Sequence, residues 1–163
     1  MLLCTFHEAL RLPTPQVGLE VKSLIAKTGF VFTARAEEQF YLSNNLPENL
    51  RRLFQPINPR RLDEDLLEEL CRRAEKYLLE ATLLEDFILQ VYTAFDNSRF
   101  SSQLLLRRPA DKHVELASSK RQVLLALKKL WVQDWKFEAL IKRLDSTGKI
   151  GLEARAVYVL QSS

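Results

Sequence analysis

Leu62, Leu66, Leu70, Ala74, Tyr77, Ala81, Leu84, Ile88, Val91 and Phe95 follow one another at steps of three or four residues. That spacing lines one face of an α-helix, and it constrains the fold more than any other feature of the chain. Asp63 stands where an N-cap belongs, and Glu64, Asp65, Glu68 and Glu69 follow it. Carboxylates there favour the positive end of the helix dipole, so a charge-stabilised helix start accounts for them better than a metal or acid/base site does. Past Tyr77 a second apolar face is added by Leu78, Leu79, Leu83, Phe87 and Tyr92. A helix apolar on two sides is normally wrapped by others. The spacing therefore predicts a central helix over about 62–96, with room for a bend near Ala81 and Thr82.

Shorter helices are expected at 2–11, halted by Pro13, and at 14–27, where Thr14 caps, Pro15 takes the first turn and Gly29 ends it. "EEQFYLSN" and "LPENLRRLFQ" continue the helical pattern, and "PINP" is a rigid connector. "DNSRFSS" reads as a turn. "QLLLRRPADKH" fits no single element, although Pro109 ends whatever precedes it. "FVFTA" and "AVYVL" share β-branched and aromatic composition, which suggests a two-stranded pairing of residues 30–34 with 156–160. With four glycines and six prolines in 163 residues, the composition leans towards helix. The expected fold is one mainly α domain, a helical bundle around the 62–96 helix, with one small β pairing as its only sheet.

Charge is unevenly spread. Residues 1–97 hold 11 Lys and Arg against 15 Asp and Glu, and residues 98–163 hold 13 against 6. The excess of positive charge in the second part suits an anionic partner or the acidic first part itself. Cys4 and Cys71 form no CxxC or Cys/His pattern, and no basic segment precedes an early apolar run. These features point to a reducing, cytoplasmic setting without a secretory signal or a membrane span.

The stretch "KRQVLLALKKLWVQDWKFEALIKRL", residues 120–144, carries the strongest functional suggestion. As a single helix over 119–145 it buries Val123, Leu127, Leu130, Phe137, Ile141 and Leu144 on one face. Arg121, Lys128, Lys129, Lys136 and Arg143 lie opposite, and Leu124, Trp131 and Trp135 gather beside the basic stripe. The apolar face is needed for packing, which argues against a helix lying in a membrane surface. Two tryptophans flanked by cations match the composition of protein-interface hot spots. The partner site is therefore expected at Leu124, Trp131, Trp135, Arg121, Lys128, Lys136 and Arg143, docking an acidic protein surface. The same stripe could follow a nucleic-acid backbone, and both rings could instead fill the core.

No GxSxG, HExxH, P-loop or GxGxxG pattern occurs. His7 and His113 have no partner that the sequence can place, and Asp111, His113 and Glu115 read as a surface loop rather than as metal ligands. The expectation is a non-enzymatic adaptor, assembly factor or regulatory subunit with no catalytic residue, cofactor or metal.

Overall fold

Five short strands, rather than a long helix, occupy the middle of the chain's fold. The computed structural model describes residues 1–162. In chain order the elements are β1 (Leu3–Cys4), α1 (Phe6–Ala9), α2 (Thr14–Val17), α3 (Val21–Leu24), β2 (Gly29–Phe32), α4 (Ala34–Ser43) and α5 (Leu46–Leu53). Then come α6 (Glu64–Glu80), α7 (Glu85–Ser98), β3 (Leu104–Arg107), β4 (Val114–Ala117), α8 (Lys120–Gln133), α9 (Phe137–Thr147) and β5 (Val157–Gln161). The strands form one antiparallel sheet in the order β1-β2-β5-β3-β4. This corrects the mainly α, helical-bundle expectation to an α/β fold. Segments 30–34 and 156–160 do lie side by side, with Phe30 opposite Val159, but as two strands of five.

Both faces of β2 and β5 are covered, whereas Val114 and Leu116 of β4 stay exposed, and the alternation of side chains sorts the two faces. Phe30, Phe32, Leu104, Leu106, Val157 and Val159 belong to the larger core beneath α4–α9. Cys4, Val31, Tyr158 and Leu160 belong to a second core with α1–α3. A sheet buried on both faces reads as continuous apolar runs such as "LLL" and "VYVL", without the polar alternation that usually betrays a strand. Gly29 is required where β2 meets β5, since a Cβ there would overlap the Val159 carbonyl oxygen.

The expected 62–96 helix is two helices. Its start is as the sequence indicates, with the Asp63 side chain accepting a bond from the Leu66 N–H at 3.1 Å. At Ala81 the backbone turns extended, with φ −66° and ψ 150°. The break is held from outside. Asn44 accepts from the Thr82 N–H at 3.0 Å and donates to the Thr82 carbonyl at 2.9 Å. Lys128 Nζ donates to the last carbonyls of α6, those of Leu79 (3.0 Å) and Ala81. An ammonium at a helix C-terminus satisfies orphan carbonyls and complements the dipole. Lys128→Met is expected to keep the stem's packing and lose about 1 kcal/mol of stability, checked by urea unfolding. A loss within error would show that water caps α6 equally well. Among the described residues, no helix is long and apolar enough to cross a membrane.

Candidate functional site

The 119–145 segment also divides. α8 begins on Ser119, whose hydroxyl accepts from the Gln122 N–H at 3.2 Å. It ends at Gln133, and Lys136 is extended (φ −66°, ψ 149°) before α9 begins. A single helical wheel across this segment therefore misplaces everything after Asp134.

The break is organised by charge. Arg108, just past β3, is buried and donates from both terminal nitrogens to Glu37 of α4, at 3.1 and 3.0 Å. It also reaches Asp134 at 2.5 Å. Arg155 completes the group, its side chain at 2.8 Å from Asp134 and its backbone N–H at 2.9 Å from Glu37. Two guanidinium groups thus balance two carboxylates. Burial works against the charge on Arg108, but Glu37 and Asp134 outweigh it and hold its pKa above the ordinary arginine value. Arg143 donates to the Asp134 carbonyl and, at 2.9 Å, to that of Ile150, and it lies 5.1 Å from the Trp135 ring centroid. Burial lowers its pKa, and Asp134 offsets part of that.

In front of this cluster lies a mainly apolar groove of about 620 Å³. α4 contributes Tyr41 and Leu42, α5 and its C-cap contribute Leu50 and Phe54, and the irregular 149–154 segment contributes Ile150 and Leu152. Trp135 is part of its lining, stacked on Phe54 with centroids 5.7 Å apart and donating from Nε1 to the Tyr41 hydroxyl at 2.9 Å. Burial, reinforced by Glu37, raises the Tyr41 pKa, so the hydroxyl stays protonated at neutral pH. Leu42 is 72% exposed, an unusual setting for leucine on a groove wall. Of the charged lining residues, Lys149 is cationic, Arg51 is held by Glu48 at 3.0 and 2.6 Å, and Glu38 is anionic; Arg60 and Arg61 follow Pro59 of the wall.

The residues expected to form one docking face are dispersed. Trp131 is 1% exposed and stacked on Phe40 at 4.6 Å, and Leu124 is buried in the same core. Neither can meet a partner, because each fills the space between α8 and the helices against it. Lys128 is spent on the end of α6, Lys136 pairs with Glu75 at 2.5 Å, and Arg143 is folded inward. Arg121 alone of the proposed cations is exposed without an ion pair among the described residues. Of the wider basic stripe Lys129 is also exposed, so Arg121 and Lys129 face solvent while Lys128, Lys136 and Arg143 are engaged within the fold. Only Trp135 and Arg143 come together near one cleft. His113 Nε2 lies 3.0 Å from Glu115 Oε1 on the surface, and among the described residues no cluster of His, Cys, Asp and Glu is placed to hold a metal.

Sequence reasoning passed over the groove because its walls come from four separate segments. The one local hint was "LPENLRRLF", where Leu50 and Phe54 stand one helical turn apart. Glu37 and Arg108, 71 residues apart, left no local sign. No protein-family model matches the chain, and no curated protein matches it at a significant level.

Proposed function

We propose that the chain is a non-enzymatic interaction module, an adaptor, assembly factor or regulatory subunit, whose docking site is the groove between α4, α5 and residues 149–154. The observation that carries this reading is a large apolar concavity open to solvent, with an exposed Leu42 on its wall, Lys149 among its lining and the exposed Arg60 and Arg61 beside it. Apolar lining supplies affinity to anchor side chains, and the flanking cations select an acidic segment and speed its encounter. The partner is accordingly a protein carrying an amphipathic, acidic segment. A reducing cytoplasmic setting accords with Cys4 and Cys71, which are free, buried and raised to about pKa 11 chiefly by burial.

The test uses two fluorescent helical peptides with leucine anchors at i, i+3 and i+7, one bearing glutamates elsewhere and the other lysines. The glutamate peptide is expected to bind with an affinity that falls as salt rises, and the lysine peptide to bind far more weakly. Leu42→Glu places a carboxylate on the exposed wall without touching the core, and is expected to weaken binding at least about tenfold. Failure of both peptides to bind, or equal binding by Leu42→Glu, would sink the assignment.

A further inference from the structure

β4 ends the sheet, and its outer edge is unprotected. It pairs only with β3, in an unbroken register from Leu104 opposite Ala117 to Arg107 opposite Val114. Hydrogen-bonded and non-bonded positions alternate along an antiparallel pair, which fixes the groups that β4 leaves unused. The Ser162 N–H donates to the Gln103 carbonyl at 2.8 Å, so Gln103, Leu105 and Arg107 bond towards β5. Leu104 and Leu106 then bond towards β4, where Ala117 and Glu115 stand opposite them. The N–H and C=O of Val114 and Leu116 therefore point out of the sheet, on one strand line, and no further strand lies beyond them.

The side chains of the same two residues are exposed, at 43% and 55%. They stand opposite Arg107 and Leu105, on the face that α1–α3 cover over β2 and β5. That layer stops at β3, where Glu20 holds Arg107 at 2.7 Å. Natural sheet edges are commonly blunted by lysine, proline or a bulge. β4 has none of these, and its outward positions are valine and leucine. On its other face Glu115 lies 3.0 Å from His113 Nε2.

We propose that β4 pairs with β4 of a second copy of this chain, antiparallel about a two-fold axis at Val114, so that one sheet runs through both copies. Charge complementarity selects this occupant and this register. With Val114 opposite Val114, Glu115 of each copy faces His113 of the other, and carboxylates alternate with imidazoles. Centring the axis on Glu115 sets the two carboxylates against each other, and like charges directly opposite are destabilising. Centring it on Leu116 places each carboxylate opposite Ala117, with nothing to meet it. At Val114 the unused main-chain groups satisfy one another reciprocally, and the aliphatic stem of Lys112 from the second copy falls beside Leu116. None of these residues lines the groove at α4 and α5, so the proposal stands independently of that site. One short strand pair buries less than the roughly 1,200 Å² of stable complexes, so the dimer is weak and concentration-dependent.

Sedimentation velocity of the full chain, from about 10 μM to about 1 mM, is the test. The weight-average mass is expected to climb from that of one chain towards twice that value, with slower hydrogen exchange at the Val114 amide. Val114→Pro removes an outward N–H at an edge position where proline is tolerated. His113→Glu, a surface change, brings like charges together across the axis. Each is expected to weaken self-association at least about tenfold. The exchange variant His113→Glu, Glu115→His restores the alternation and is expected to recover it, and Leu42→Glu is expected to associate normally. The proposal is overturned if the chain stays monomeric at the highest concentration, or if neither Val114→Pro nor His113→Glu weakens association. It is equally overturned if the folded exchange variant stays monomeric, or if Leu42→Glu abolishes association.

Discussion

Glu37→Ala is expected to destabilise the protein by about 3–5 kcal/mol, the range for breaking a buried ion pair from one side. Glu37 is fully buried and accepts three bonds, two from Arg108 and one from the backbone of Arg155. Its removal strands a buried guanidinium with Asp134 as the remaining carboxylate, and orphans the Arg155 N–H. Domains of this size hold only about 5–15 kcal/mol in total, so the loss removes a large share of it. Equilibrium urea unfolding reads it as a lower midpoint at unchanged slope. A loss below about 1 kcal/mol would mean that water reaches Arg108 and replaces the carboxylate. The double variant Glu37→Leu, Arg108→Met tests the converse. Apolar replacement of both partners is often neutral or stabilising, so it is expected to recover much of the stability lost in the single variant. The cluster's contribution is then positional: it joins α4, the end of β3, the α8–α9 break and the approach to β5.

Trp131→Ala is expected to cost a similar amount, about 3–5 kcal/mol, because it empties a ring-sized volume in the main core. Trp131 lies flat against Phe40, with rings inclined by 28°. Its Nε1 is buried with no hydrogen-bond partner among the described residues. An orphaned buried donor costs about 1–3 kcal/mol, so Trp131→Phe discards a liability together with part of the ring, and is expected to lose far less than the alanine variant. Near-ultraviolet circular dichroism and urea unfolding check both. A Trp131→Ala protein of wild-type stability that loses a binding partner would return the ring to the surface and refute the core assignment.

Different parts of the molecule were legible to different degrees. Asp63 caps α6 as its position predicts, because a cap needs only a side-chain oxygen and an N–H three residues on; at α8 two adjacent serines offer that oxygen, and Ser119 supplies it. The apolar period of 62–96 is real, yet it runs on through the break at 81–84 because α6 and α7 turn their apolar faces to the same core. For the docking site, composition misled. Tryptophan beside lysine and arginine describes an interface hot spot, and it equally describes a core ring under side chains that reach away to other partners. Trp131 and Lys128 are the second case.

What the sequence determined by itself is therefore local: where α6 and α8 begin, and which faces of the helices are apolar. These depend on residues three or four positions apart, whose geometry is set by the helix alone. The sheet, the two helix breaks, the buried ion cluster and the groove between α4, α5 and residues 149–154 were decided by tertiary structure. Their partners lie far along the chain, as with Asn44 and Thr82 at 38 residues, Lys128 and Leu79 at 49, and Arg108 and Glu37 at 71. A buried charge or a helix stop without glycine or proline is tolerable only when the folded chain brings its partner to it.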